Sequence, residues 1–256
     1  MTPSRASMVN VPGVLLIAGL LVAWELAARA AGSPSFPSFG AVLNTLVKDG
    51  GELTAQLGIT LTRAAAGFGL ALVTVLPLGL FIGRTPRVGQ YLEPLIDLLR
   101  PLPPLAIVPV AMLFLGTGSA AKIGVVFYGA AFPLLINAID ATRATHPLLV
   151  QVARSVGLTR AEIMRRIDLP AALPQIMAGV RLSVAVALLI SVSSEMLLST
   201  DGLGNYLMRA QEQFRIDAGL AGIVVIALAS LAVTQAVVRI ERYLLRWHHQ
   251  RNAVVR

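Results

Sequence analysis

Six stretches of this chain stay apolar for about 20 residues, at about 11–31, 60–82, 101–117, 119–140, 172–198 and 217–239. At about 1.5 Å of rise per residue, each is long enough to cross the ~30 Å hydrocarbon core of a bilayer as a helix. Lipid offers no partner for backbone N–H and C=O groups, so runs of this length fold as helices, which bond within themselves. The expected fold is an all-α membrane protein with about six transmembrane helices, one domain over residues 1–256. Only 13% of the residues are charged, against roughly 25% in soluble domains, which agrees with that reading.

Two of the runs are less regular. The first, VPGVLLIAGLLVAWELAARAAG from Val11, shares with a signal peptide a preceding arginine and an ARA-like end. Its apolar part exceeds the usual h-region of about 7–15 residues and further spans follow, so an uncleaved span is expected. The third opens on RPLPPLAIVP, with prolines at 101, 103, 104 and 109. Each lacks an amide donor, so the start of this span is expected to be non-helical. Residues 32–58 read as a polar connection with a short surface helix.

Orientation follows from the arginines. With the N-terminus inside, Arg84, Arg87 and Arg100, then Arg143, Arg154, Arg160, Arg165 and Arg166, and finally Arg242, Arg246, Arg251 and Arg256 fall on the cytoplasmic side, as the positive-inside rule asks. The opposite loops hold Lys48, Arg209 and Arg215, offset in part by Asp49, Glu52, Asp201 and Glu212. Both termini are therefore expected in the cytoplasm. The net charge of +8, carried by 19 Arg and 2 Lys, lies beside the apolar runs, as juxtamembrane charge does, and points to lipid rather than nucleic acid.

The chemistry such a chain can perform is limited. It has no cysteine, and His146, His248 and His249 form no metal-ligand spacing. A P-loop needs glycine directly before its lysine, but Lys48 follows Val47 and Lys122 follows Ala121. No catalytic, metal-binding or cofactor-binding residue is expected here.

The cytoplasmic insert at 144–170 carries VARSVGLTRAEIMRRIDLP, with four arginines. Leu148, Leu149, Val152, Ala153 and Val156 recur at helical spacing, and Gly157 can adopt the left-handed conformation that ends such a helix. Thr159 and Glu162 form a capping-box pattern for a second helix, Ile163, Met164 and Ile167 supply its apolar face, and Pro170 fits the first turn of the next span. Scattered arginines would suffice to fix topology or touch lipid phosphates. Two capped helices around a glycine form a shaped surface, as a docking element does.

The spacing of Ala153, Gly157, nine residues, then Ile167, Leu169 and Pro170 of IDLP resembles the EAA loop of the inner-membrane permease subunits of binding-protein-dependent ABC importers. The resemblance runs from roughly Leu15 to Trp247. Through LLRPLPPLAIVPV, GTGSAAKI, FPLLIN, LPAALPQIMAGVRLS, SEMLLSTDGLGNYLM and RIERYLLRW it looks like the nitrate, sulfonate and taurine branch. It implies a type I ABC importer permease fold, MetI-like, in the bacterial cytoplasmic membrane. It also implies that Gln151, Val152, Ala153, Arg154, Ser155, Gly157, Leu158, Thr159, Ile167, Leu169 and Pro170 couple the chain to a cytoplasmic ABC ATPase dimer. That ATPase would bind ATP and Mg, a second permease copy would complete a homodimer, and a periplasmic or lipid-anchored binding protein would deliver a small anionic or zwitterionic solute. One departure stands out: Gln151, Val152 and Ala153 occupy the places of Glu, Ala and Ala, so hydrogen bonding is kept where a charge is lost. The rival is an ion-gradient-driven secondary transporter or channel, which would want paired intramembrane carboxylates or an inverted repeat.

A path through the bundle needs inward-facing polar groups. Ser191, Ser194 and Glu195 share one helical face. They line a path or its outer gate, or else the serines bond back to their own helix and Glu195 reaches the periplasmic edge. Arg181 attracts anions or snorkels to the cytoplasmic interface. Arg100, Pro101, Pro103 and Pro104 edge the path or form an interfacial turn. Residues 199–214 should lie on the periplasmic side, and Gly67, Ala71, Gly79 and Gly83 should let another helix approach closely.

Overall fold

A computed structural model of the chain describes residues 11–33, 35–144 and 147–246. His146, Trp247, His248, His249, Arg251, Arg256 and both termini lie outside the described residues. The described chain is helical, with α1 (Val11–Ala31), α2 (Phe39–Lys48), α3 (Gly50–Arg84) and α4 (Pro86–Leu99) in order. A 3-10 turn (Pro104–Ile107) leads into α5 (Val108–Leu115), followed by α6 (Ser119–Arg143) and α7 (Pro147–Ser155). Then come α8 (Arg160–Ile163), a π-helical segment (Met164–Asp168), α9 (Leu169–Leu198), α10 (Leu203–Glu212) and α11 (Ile216–Leu244).

The centre of the bundle is α6, packed between α3 and α9. Small residues explain the closeness. A Cβ on Gly67 would lie 2.6 Å from Val126 Cγ1, and one on Gly79 would lie 2.7 Å from Ala138 Cβ, so α3 meets α6 almost backbone to backbone. Helices in lipid gain little from the hydrophobic effect and associate through this kind of contact. Ala71, Val75, Ile82, Val125, Val126, Ala130, Leu134 and Ile190 fill the seam. The glycine row on α3 thereby finds its partner in α6.

By length and composition five helices can cross a membrane, or six if α4 and the segment Pro104–Leu115, bent by 85°, form one span. The expected third span at 101–117 holds the 3-10 turn and α5. Before it, α4 runs from Pro86 to Leu99 and ends there, because Pro101, Pro103 and Pro104 supply no donors to continue it. Arg100 therefore sits at the break between α4 and the 3-10 turn. The polar connection is shorter than expected. After α2, α3 starts already at Gly50, since Leu53 and Leu57 pack with Tyr206 and Ala210 of α10 and give this first part of α3 an apolar seat. At the periphery, α1 is held at one end, where Trp24 Nε1 donates to the Pro37 carbonyl (3.1 Å) and its ring meets Phe39 edge-on. Leu15, Leu16, Leu20 and Leu26 stay exposed.

Candidate functional site

The arginine-rich insert is built as two helical caps back to back. At the end of α7, the Leu158 N–H donates to the Ala153 carbonyl and the Gly157 N–H to that of Arg154, both at 3.0 Å. This is the paired bonding of a Schellman cap. Gly157 has φ +83°, a region that costs other L-residues about 1–2 kcal/mol. The next helix is opened by a reciprocal box, in which the Thr159 N–H donates to Glu162 Oε2 (3.0 Å) and the Glu162 N–H donates to Thr159 Oγ1 (3.3 Å). Ala153 is buried and ties the turn to the body, Leu158, Ile167 and Pro170 are half-buried, and Gln151, Val152, Arg154, Ser155, Val156, Thr159 and Leu169 are exposed. The outer face thus mixes apolar Val152 and Val156 with basic Arg154.

The insert is anchored to the spans by an ion pair. Asp168, 2% exposed, meets Arg84 at the C-terminal end of α3, beside a cleft of about 330 Å³ also lined by Val150, Arg154, Ile163 and Met164. Asp168→Ala should loosen the insert while leaving the spans packed. The expected result is several-fold faster tryptic cleavage after Arg165 and Arg166 in the folded, solubilised protein. An unchanged cleavage rate would show that the pair does not hold this segment.

At the other end of α9 lies a buried charge cluster. Glu195, fully buried, accepts from Arg63 Nη1 (3.0 Å), Thr60 Oγ1 (2.7 Å) and the Gly204 N–H (3.2 Å). Arg63, 4% exposed, also donates to Ser119 Oγ (3.0 Å) and Asp201 Oδ1 (2.7 Å). One guanidinium therefore ties α3, α6, α9 and the turn before α10 together. Gly202, at φ +91°, and Gly204 are required by this closeness, since a Cβ on either would collide with the Glu195 side chain or the Val192 carbonyl. Ser191 Oγ donates to the Thr60 carbonyl (3.0 Å) and Ser194 Oγ back to that of Ser191 (2.9 Å). Ser191, Ser194 and Glu195 are brought together as their shared face foretold, and within the protomer all three are enclosed by packed helices.

Arg63, Thr60, Ser119 and Asp201 were not singled out from sequence. The available signal was reciprocal: an arginine within one apolar run and a glutamate within another, each expensive alone. Asp201 lies outside the spans. Burial raises its pKa, but hydrogen bonds from Arg63 and then Ser199, with the charges of Arg63 and Lys122, bring it below the usual carboxylate range. Arg181 pairs with Glu241 of α11, a partner that neither anion attraction nor snorkelling requires.

The break after α4 is held by Tyr128, whose hydroxyl donates to the Leu99 carbonyl at 2.6 Å. The same carbonyl also accepts from the Leu102 N–H (3.2 Å), so the turn is held from both sides. Arg100 and Pro104 line a cleft of about 280 Å³ with Tyr128, Phe132, Asn137 and Leu182, while Pro101 and Pro103 are exposed on the connecting turn.

Residues 75–247 match the family described as the inner membrane component of binding-protein-dependent transport systems. The chain belongs to this family. It is a transmembrane permease subunit of an ABC importer. Its relatives include the taurine transport system permease protein of Escherichia coli, 31% identical over 90% of this chain and 86% of that protein. The nitrate import permease protein of Synechocystis is 29% identical over 88% of this chain and 86% of that protein. The MetNI methionine ABC transporter, solved in inward-facing conformations, shares the permease's fold with a TM-score of 0.66 at 20% identity, over 75% of this chain and 96% of that one.

Proposed function

We propose that this permease imports a small oxyanion or zwitterionic sulfonate across a bacterial cytoplasmic membrane, with both termini inside. ATP and Mg are held by a separate ATPase dimer, a second copy of this chain completes the path, and a binding protein delivers the solute from outside. The substrate class is supported by the relatives that carry taurine and nitrate in their names.

One observation carries the coupling role: the twice-capped turn at Gly157 joins, through α8 and the π-helical segment, an unbroken helical run from Ala161 to Leu197. At about 1.5 Å per residue this lever is roughly 55 Å long. Across the Gly157 turn from its inner end stand Val152, Arg154 and Val156, and its outer end holds Glu195 in the charge cluster. Closure of the ATPases against the inner end tilts α9 and shifts the outer cluster as a unit. Uptake of radiolabelled taurine, methanesulfonate and nitrate by cells with and without the gene tests the function. ATP-dependent uptake of one of them should vanish with the gene. Uptake that survives ATP depletion and collapses with the proton gradient would favour a secondary transporter.

A further inference from the structure

Arg100 stands where an arginine is least expected. Tyr128 lies nine residues into α6 and Leu182 thirteen into α9, about 14 and 20 Å from the helix ends at 1.5 Å per residue. Both border the cleft that Arg100 lines, and the Tyr128 hydroxyl holds the preceding residue, Leu99. The cleft thus reaches from the middle of α6 and α9 to Asn137, six residues before the end of α6, and Arg100 is exposed on it. An arginine facing hydrocarbon at the centre of a span costs about 2.5–3.5 kcal/mol even on the mildest scale. Arg63, Arg84 and Arg181 each meet a carboxylate, whereas no ion pair of the described residues includes Arg100. Broken backbone within a membrane is tolerated where protein buries it or where it lines a watery cavity, and Arg100 and Pro101 at this break are exposed.

The cleft's chemistry is specific. No Asp or Glu lines it. Asn137 donates one amide N–H to the Pro133 carbonyl (2.8 Å), which leaves its second for a ligand. Tyr128 and Phe132, edge to face at 5.1 Å, make an apolar wall. The volume of about 280 Å³ suits one small ion with a few waters, each taking about 30 Å³. A planar fork of five donors matches the oxygens of a sulfonate, sulfate or nitrate group.

We infer that Arg100 and Asn137 form an intramembrane binding site for one small oxyanion on the transport path. The inference rests on the proposed import function, and names the side chains that meet the solute between the binding protein and the cytoplasm. The proline break positions Arg100, Tyr128 fixes the break, and the lack of carboxylates keeps the cleft's potential positive.

The chain has no cysteine, which makes a direct test possible. Leu182→Cys, exposed on the cleft, is introduced into the permease purified in lipid nanodiscs with its native partners. It is then treated with 2-sulfonatoethyl methanethiosulfonate, an anion, or its trimethylammonium analogue, a cation. Modification of this chain is followed by mass spectrometry and each rate is normalised to a free thiol. The anionic reagent should react about tenfold faster than the cationic one, as expected of a cleft that concentrates counter-ions. Arg100→Gln should bring the ratio near one, and millimolar inorganic sulfate should slow the anionic reaction. Phe132→Cys repeats the measurement if Leu182→Cys folds poorly. Failure of both reagents to react, or a preference that survives Arg100→Gln, overturns the site. Retention of the ATPase in the same preparation is scored separately. A retained ATPase without anion preference removes the site alone, whereas anion preference without an ATPase leaves the site standing and removes the importer reading.

Discussion

Replacing Arg63 by alanine lowers the unfolding free energy of the solubilised permease by about 3–5 kcal/mol, the cost of leaving a buried charge without its partner. Glu195 has no exposure and has its ion pair with Arg63, and the same substitution releases Asp201 and Ser119. The control is Arg209→Ala, which removes an exposed pair with Glu52 and should cost no more than about 1 kcal/mol. Arg63→Met with Glu195→Gln, which removes both charges together, should recover much of the loss. Acid should weaken the intact cluster as well. Because the pKa of Asp201 is held below its usual range, the stability it contributes is present above about pH 4 and is lost as the pH falls through its lowered value. Thermal unfolding in detergent reads all three, and an Arg63→Ala protein as stable as Arg209→Ala would remove the cluster from the account of the fold.

Gly157→Arg separates folding from coupling. A Cβ at this position meets nothing within 4 Å among the described residues, so a side chain has room to leave the turn. The folding cost is backbone strain at φ +83°, about 1–2 kcal/mol. The same bulk projects from the exposed turn toward any protein docked on Val152, Arg154 and Val156. Transport-coupled ATPase activity should fall at least tenfold while the unfolding temperature moves only slightly. Gly157→Asn, a residue that tolerates the left-handed region, should retain most activity. Loss of activity in step with loss of fold, equally for both variants, would make Gly157 a structural residue only.

Much of this was legible in the sequence because lipid leaves few alternatives. Long apolar runs gave α1, α6, α9 and α11 nearly to their ends. The Gly157 turn and the Thr159–Glu162 box could be read residue by residue because capping is local. What could not be read was whatever depended on partners distant in sequence. Leu53 and Leu57 extend α3 to Gly50 only because α10 is there to receive them. Prolines foretold an irregular third span, but not that α4 precedes it from Pro86 to Leu99 and leaves Arg100 in a cleft with Tyr128. Glu195 was visible as an intramembrane acid, yet the side chain that explains it, Arg63, lies 132 residues away.

The central claim is that the turn at Gly157 is where this permease touches an ATPase. The most direct test places a single cysteine at the exposed Val156 of the naturally cysteine-free chain, attaches a benzophenone to it, and illuminates native membranes before the adducts are identified by mass spectrometry. The account predicts one dominant adduct with a P-loop ATPase, diminished by Gly157→Arg. Adducts with lipid or with the permease itself, and none with an ATPase, would contradict it.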